Sequence, residues 1–366
     1  MTVRVAHVLN SPGNGGVPRV ALALVRHLDP TKIANHVFYL KPGAGDDLFD
    51  DDRIPVRHAG SDSKADAMAD LVAWLERHRI DILHTHSFRP NLYARMAGAV
   101  LRPAGLRIVA HYHNDYSDKW HGAALALERS LGDVTDAALA VSAPVATHVA
   151  TLTGSRPEVL ANGVDLDRVT GGDRTAGRIA LGLPDRALVV GLVGRICRQK
   201  GVDTFVEAAF QLCPRLPQAR FIVIGDHEDK ALASKLSGRI AASDWANRIL
   251  LAGHRRDMAD CFAAMDVLVA PSRWEGFGLA LAEAMAAGVP LIATDVGGIP
   301  EVVGSAGRLI APDDPDTLAA EIETMTGQGF DRDPLIAAGK ARARRFDWSI
   351  AGDRLAELYA RLGPRP

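Results

Sequence analysis

Cysteine is scarce: Cys197, Cys213 and Cys261 are the only three in 366 residues, and none stands in CxxC or other paired spacing. A disulfide framework is therefore not expected, and a reducing cytosol fits the usage. Runs of about 18 uninterrupted apolar residues are also missing, so nothing is expected to span a membrane. Peripheral attachment to the inner membrane face stays open. The opening residues, Met1-Thr-Val-Arg-Val-Ala-His-Val-Leu-Asn10, are too short and too interrupted for the apolar core of a signal peptide. Excess charge of either sign is lacking as well. A formal net charge of −2 gives no general electrostatic reason to expect a nucleic-acid partner. Short internal repeats and low-complexity tracts are absent, which excludes a solenoid.

What is present is ordinary globular material: 48% apolar and 23% charged residues, in a chain long enough for two domains with their own cores. Residues 3–9 read as a strand running into Asn10-Ser-Pro-Gly-Asn-Gly-Gly16, and residues 17–28 carry apolar residues at helical spacing. Strand and helix patterns alternate through a strand at 36–40, a helix at 65–78, a strand at 82–84, a helix at 91–100 and strands at 107–111 and 137–141. Ser142 then opens a helix to about residue 151. Such alternation predicts a parallel sheet covered on both faces. Residues 167–178, rich in Gly, Asp and Arg and without periodicity, read as an interdomain linker.

A second series begins at residues 188–194 and continues with strands at 221–224, 249–252, 267–270 and 290–293 and a helix at 280–287. The C-terminal stretch 335–362 is amphipathic and helical, with a break near Phe346-Asp-Trp348. The fold class expected is α/β, with two Rossmann-like doubly wound domains facing across a cleft. The first spans residues 1–165 with a returning C-terminal helix at about 349–366, and the second spans 166–348. Ligands of such sheets bind outside the carboxyl ends of the strands, so function belongs in the loops there.

The strongest chemical motif is Ser272-Arg-Trp-Glu275-Gly276-Phe277-Gly278-Leu279-Ala-Leu-Ala-Glu283, ahead of Gly288-Val-Pro290. Gly276-Phe-Gly278 leaves backbone N–H groups at a helix start, where an anion is favoured. Glu275, in the loop, is placed to accept hydrogen bonds from a sugar's hydroxyls. Glu283, read as over two turns into the helix, is placed to face a ribose. A bare pair of glutamates at this spacing is an ordinary acidic surface; the strand–loop–glycine–helix setting is what separates it from that.

A second motif, Gly194-Arg195-Ile-Cys-Arg-Gln-Lys200-Gly201, follows the first strand of the second domain. The arginine fork and the lysine point charge together suit a diphosphate, where alone they would read as a solvated basic turn. Gly13-Asn-Gly15-Gly16 permits close backbone approach to a phosphate. It lacks the third glycine of G-x-G-x-x-G, and no acidic residue ends the next strand, which disfavours a dinucleotide-binding dehydrogenase. In His111-Tyr-His113-Asn-Asp115 two histidines and an aspartate suggest zinc, but no further ligand is evident at suitable spacing. A histidine bonding a sugar or phosphate oxygen is the better reading. Asp50-Asp-Asp52 resembles a metal cluster but sits in an expected surface loop.

Taken together, the Glu275/Glu283 block, Gly194-Arg195…Lys200-Gly201, the Gly15-Gly16 loop and Asn162-Gly-Val-Asp165 resemble the GT-B retaining glycosyltransferases of family GT4 over essentially the whole chain. The resemblance implies a nucleotide-sugar donor in the second domain and most of the acceptor site in the first, with the final helix crossing back. It implies that Arg195 and Lys200 hold the donor diphosphate, Glu275 the transferred sugar and Glu283 the ribose. The amides of Phe277, Gly278 and Leu279 would face the phosphates, with Gly16 closing from the opposite domain. His113 matches the family's first-domain histidine, and His111 takes that place after a two-residue shift. Gly225-Asp226 and the loop around Gly253-His254 would border the base, although the second glycine often found after Gly225 is replaced by Asp226 and His227.

The implied reaction retains anomeric configuration and requires no metal or other cofactor. A UDP-sugar is the first expectation for the donor and GDP-mannose the second, with a hexosyl or N-acetylhexosaminyl unit transferred. The acceptor stays open between a glycan, a lipid-linked sugar and an aminocyclitol-type polyol. Arg89, Arg95, Arg102 and Arg107, interleaved with Leu92, Met96, Val100 and Leu101, read either as a basic amphipathic face for anionic lipid or as an ordinary helix with exposed arginines. Two rivals use the same architecture: a nucleotide-sugar epimerase, which needs no acceptor, and a non-catalytic nucleotide-sugar sensor.

Overall fold

The computed structural model describes residues 2–13, 15–42, 49, 54–116 and 119–364. The acidic run Asp50–Asp52 lies outside them, as do Asn14 of the first glycine loop and Ser117. The chain divides into two compact units: Met1–Gly163 with Trp348–Pro366, and Val164–Asp347.

The first unit is built on a seven-stranded sheet of β1 (Val3–Leu9), β2 (Ile33–Tyr39), β3 (Val56–His58), β4 (Ile82–His86), β5 (Arg107–Tyr112), β6 (Ala137–Ala140) and β7 (Glu158–Val159). All its pairings are parallel, in the order β3-β2-β1-β4-β5-β6-β7. The second unit has six strands: β8 (Leu188–Val193), β9 (Ala219–Ile224), β10 (Ile249–Gly253), β11 (Val267–Ala270), β12 (Leu291–Thr294) and β13 (Gly307–Ile310). They too are parallel, in the order β10-β9-β8-β11-β12-β13. Both are doubly wound α/β sheets. The order reverses beside β1 and β4 in one sheet and beside β8 and β11 in the other, and the crevice at the carboxyl ends there is where such sheets take ligands.

The strands form because they are short apolar runs buried on both faces. Val189, Val190 and Leu192 of β8 and Phe221–Val223 of β9 are at most 1% exposed. Helices cover them by an apolar stripe. The helix Gly16–Arg26 buries Val20, Ala21, Leu22, Leu24 and Val25. In the second unit the helix Val202–Leu212 packs Phe205, Ala209 and Leu212 into a cluster with Phe221 and Ile322. The C-terminal helix Trp348–Leu362 belongs to the first unit and buries Leu355, Leu358 and Tyr359.

Several expectations change. The stretch read as a structureless linker forms two short helices, Leu166–Val169 and Arg174–Ala180, each capped by the aspartate before it, Asp165 and Asp173. Its glycines are packing residues: a Cβ on Gly172 or Gly177 would overlap the backbone carbonyls of Ala259 and Asp260. The helix after the Glu275–Gly278 loop starts at Leu279, so Glu283 stands one turn inside it, not over two. β3, β7 and β13 were not read from the sequence; they have three, two and four residues, too few to show a period.

The basic face proposed for the helix Phe88–Ala99 and its surroundings is not formed as such. Arg95 is 1% exposed and pairs with buried Glu128, while Arg102 and Arg107 both pair with Asp136. Leu92 and Leu101 are buried. Among the described residues no helix is long and apolar enough to cross a membrane. The three cysteines are buried and unbridged.

Candidate functional site

In the second unit the chemistry gathers in the loops that follow β8 and β11, on either side of the switch point. After β8 the chain turns at Gly194, whose amide bonds the Ile224 carbonyl at 2.9 Å. A Cβ there would sit 3.2 Å from Cγ and Cδ of Lys200, so glycine leaves room for the lysine stem to pass. Lys200 ends a single 3-10 turn, Arg198–Lys200, and its ammonium pairs with the carboxylate of Glu275. Both side chains are mostly shielded, at 19% and 13% exposure. With Ser272 and Gly278 they line a small cavity against Leu192 and Val193.

The loop carrying Glu275 is fixed from below. Arg273 places its guanidinium on both oxygens of Asp203, at 3.0 and 2.9 Å, on Asp313 at 2.6 Å and on the Arg198 carbonyl at 2.8 Å. Asp203 is pushed up by burial, but the hydrogen bonds and charge of Arg273 outweigh that and leave its carboxyl below the ordinary range. Gln199 bonds the Trp274 carbonyl at 3.1 Å through Nε2, and its own carbonyl accepts from the Arg273 amide at 2.8 Å. The Gly298 amide holds the Glu275 carbonyl at 2.9 Å. None of Gln199, Arg273 or Gly298 was singled out from the sequence, because each acts by holding a neighbour in place.

Phe277 turns its ring inward against Phe346, edge to face with centroids 5.3 Å apart, and is 3% exposed. Only its backbone is left to meet a ligand. Gly278 begins the helix Leu279–Ala287 at φ +94°, a left-handed conformation that favours glycine, and it has no side chain with which to cap the first turn. The N–H groups of Gly278 and Leu279 therefore carry the partial positive charge of an uncapped helix start. Gly276 is buried, and Glu283 lies half-buried one turn on.

Arg195 pairs with Glu228 and bonds Gln199 Oε1 at 3.3 Å, with a side chain 40% exposed. The Gly225 amide bonds the Gly253 carbonyl at 2.8 Å, which brings the loops after β9 and β10 together. His254 Nδ1 stands 3.7 Å from an Asp226 oxygen.

In the first unit Gly15 begins the helix Gly16–Arg26 after β1, with extended backbone and no side-chain cap. A Cβ on Gly16 would meet nothing within 4 Å among the described residues. His113 follows β5 and is 9% exposed. Five histidines meet here: His7 from β1, His84 and His86 from β4, His111 from β5, and His113. The first four are fully buried. A third histidine that the sequence did not bring to this place, His86, has a nitrogen within 4.8 Å of one each from His111 and His113. Burial lowers the basicity of all five, His7 to about 4, His113 to about 3, and the other three well below 6.5, so they are neutral. His84 Nδ1 meets the Tyr359 hydroxyl at 2.5 Å, which ties the C-terminal helix to the cluster.

Comparison with known proteins agrees with these two halves. The sequence model of "Glycosyltransferase Family 4" matches residues 14–168, and that of "Glycosyl transferases group 1" matches residues 187–328. The chain is 40% identical over 209 residues to the lipopolysaccharide core biosynthesis mannosyltransferase LpsB of Rhizobium meliloti, covering 55% of this chain and 59% of that protein. It thus spans less than two thirds of that relative's length. It is 31% identical over 303 residues to D-inositol 3-phosphate glycosyltransferase 1 of Catenulispora acidiphila, covering 76% and 72%. In fold it is similar to Anabaena Alr3699/HepE in complex with UDP-glucose, at 23% identity and a TM-score of 0.87 over 98% and 99% of the two chains. Two parallel Rossmann-like units of the GT-B class, with one family match on each, establish that this chain belongs to the glycosyl transferases group 1, family GT4.

Proposed function

We propose that the chain is a retaining glycosyltransferase that moves a hexosyl or N-acetylhexosaminyl unit from a nucleotide-diphosphate sugar to a hydroxyl acceptor. One observation carries this reading: Lys200 and Glu275 converge beside an uncapped helix start at the carboxyl end of β8 and β11. That arrangement offers a cation and free amides to a diphosphate and a carboxylate to a sugar. When the donor enters, Lys200 exchanges the Glu275 carboxylate for phosphate oxygens, and Glu275 turns to the sugar hydroxyls. Arg195 makes the same exchange from Glu228. Glu283 takes the ribose, while Gly225 and His254 border the base.

Transfer then proceeds on one face of the sugar. The bond from the anomeric carbon to the diphosphate breaks as the acceptor oxygen attacks from the same side, and the leaving diphosphate takes the acceptor's proton. Arg195, Lys200 and the amides of Phe277, Gly278 and Leu279 stabilise the charge that grows on the leaving group, a role in which no metal is required. The first unit is proposed to bind the acceptor, with His113 and the Gly15-Gly16 loop as its candidate residues. A UDP-sugar is the first choice of donor, supported by the UDP-glucose bound in the Anabaena protein of like fold, and GDP-mannose is the second, supported by the mannosyltransferase relative. A polyol phosphate is added to the candidate acceptors by the inositol-phosphate relative, beside a glycan or lipid-linked sugar.

The test is incubation with UDP-glucose, UDP-N-acetylglucosamine or GDP-mannose and a panel of inositol phosphate and oligosaccharide acceptors, followed by mass spectrometry and NMR of the product. A glycoside with the donor's anomeric configuration is expected. An isomerised donor formed without acceptor would replace this reading with an epimerase.

A further inference from the structure

We infer that Asn35, His7 and His86 form a hydrogen-bonded relay that fixes the tautomer of His113. The relay crosses the first sheet strand by strand: Asn35 on β2, His7 on β1, His86 on β4, and His113 just past β5. Three contacts make it. His7 Nε2 lies 3.1 Å from Asn35 Oδ1, His7 Nδ1 lies 3.0 Å from His86 Nε2, and His86 Nδ1 lies 3.1 Å from His113 Nε2.

The direction of every link follows from the first. An amide oxygen only accepts, so His7 Nε2 carries the hydrogen and donates. A neutral imidazole has one N–H, so His7 Nδ1 is a lone pair and accepts from His86 Nε2–H. His86 Nδ1 is in turn a lone pair and accepts from His113 Nε2–H. His113 Nδ1 is left as a lone pair with no partner among the described residues, at the end of a chain of polarised bonds. Adding a proton to His7 or His86 would set two donors against each other and break a link. Burial keeps the chain neutral, since each ring lies in surroundings that penalise charge. The relay thus presents His113 as an acceptor at Nδ1, the form suited to receive a hydrogen bond from a hydroxyl.

The same cluster suggests a metal, because His86, His111 and His113 offer nitrogens within 4.8 Å of one another and neither His111 nitrogen has a partner among the described residues. The relay is favoured on two grounds. Both His86 nitrogens and His113 Nε2 are already committed to N–H···N bonds of ordinary length. Among the described residues no carboxylate stands among the charges acting on His84, His86 or His111 to balance a buried divalent ion.

The importance of the relay for turnover rests on the proposed role of His113, but its existence does not, and the test separates the two. Long-range 1H–15N NMR of the 15N-labelled full chain near neutral pH reads each histidine's tautomer. His113 is expected purely as Nε2–H. His86→Leu removes the acceptor at the last link, so His113 then populates both tautomers and kcat falls roughly tenfold or more, with the donor KM little changed. His86→Asn keeps a donor and an acceptor and restores the single tautomer and most of kcat. If His86→Leu does not fold, Asn35→Leu, at the half-buried start of the relay, gives the same tautomer mixing. A native His113 in the Nδ1–H form, or one unchanged in both leucine variants, overturns the relay. So does stoichiometric uptake of added Zn²⁺ that His86→Asn abolishes, because the ion would occupy those lone pairs. Normal turnover in His113→Ala, with the tautomers as stated, would remove the role of His113 and leave the relay standing.

Discussion

Lys200 and Glu275, 75 residues apart in sequence, share one partly buried ion pair between the loops that follow β8 and β11. Under the proposed function each is the other's placeholder: the lysine occupies the carboxylate that a sugar would use, and the carboxylate occupies the cation that a diphosphate would use. The pairing holds both charges in position without leaving either bare in a shielded pocket.

This pairing predicts coupled energetics. Lys200→Ala or Glu275→Ala alone leaves a shielded charge unpaired and is expected to cost about 1–3 kcal/mol of stability. The double replacement should cost less than the sum of the two. Turnover should fall by roughly 10²-fold or more in Lys200→Ala, the scale for losing one donor to the transition-state charge. A denaturation double-mutant cycle checks the first statement, and strictly additive losses would contradict it.

Arg273 is predicted to matter without touching substrate. Its guanidinium spans Asp203, Asp313 and the Arg198 carbonyl, a planar fork that lysine cannot reproduce. Arg273→Lys should keep the charge, lose about 1–3 kcal/mol of stability and slow turnover by loosening the Glu275 loop. Denaturant unfolding and kcat read the two effects, and native values of both would remove Arg273 from the account.

Much of this architecture was legible because its strands are unbroken apolar runs and its glycine loops stand where strand periodicity stops. The glutamate block could be read because Glu275, Gly276, Gly278 and Glu283 lie within nine residues of one helix start. What was illegible was long-range or brief. His7, His86 and His113 come from positions 79 and 27 residues apart, and only the strand order β1-β4-β5 makes them neighbours. β4 was read only to His84, because Thr85 and His86 look polar although both are fully buried. The 166–180 stretch hid its helices because Gly172 and Gly177, poor helix formers, are there for close packing.

The histidine cluster predicts an acid-sensitive first unit. A histidine whose folded pKa lies below its unfolded value binds fewer protons when folded, so unfolding takes up protons and stability falls as pH drops below about 6.5. For His7 and His113 the loss continues down to their folded values of about 4 and about 3. Each such histidine contributes about 1.4 kcal/mol per pH unit well inside that window. Denaturant unfolding at pH 7.5, 6.5, 5.5 and 5 should show a steep decline below 6.5. A flat profile would mean the cluster is not buried as described.

Glu128 is predicted to be structural. It is the buried partner of Arg95 and accepts from the Tyr112 hydroxyl at 2.5 Å. Glu128→Ala would strand the arginine's charge in the core and should cost about 3–5 kcal/mol. Thermal unfolding near that of the parent chain would instead return Arg95 to the surface and revive a basic face on that helix.

The central claim, that the second unit is a nucleotide-sugar site built on Arg195, Lys200, Glu275 and Glu283, is tested most directly by calorimetric titration with UDP, GDP and ADP, each with and without Mg²⁺. One nucleotide is expected to bind tightly, Mg²⁺ to leave its affinity unchanged, and Glu283→Ala to abolish the binding while the chain stays folded. Absence of binding by all three, or binding that persists undiminished in Glu283→Ala, would contradict it.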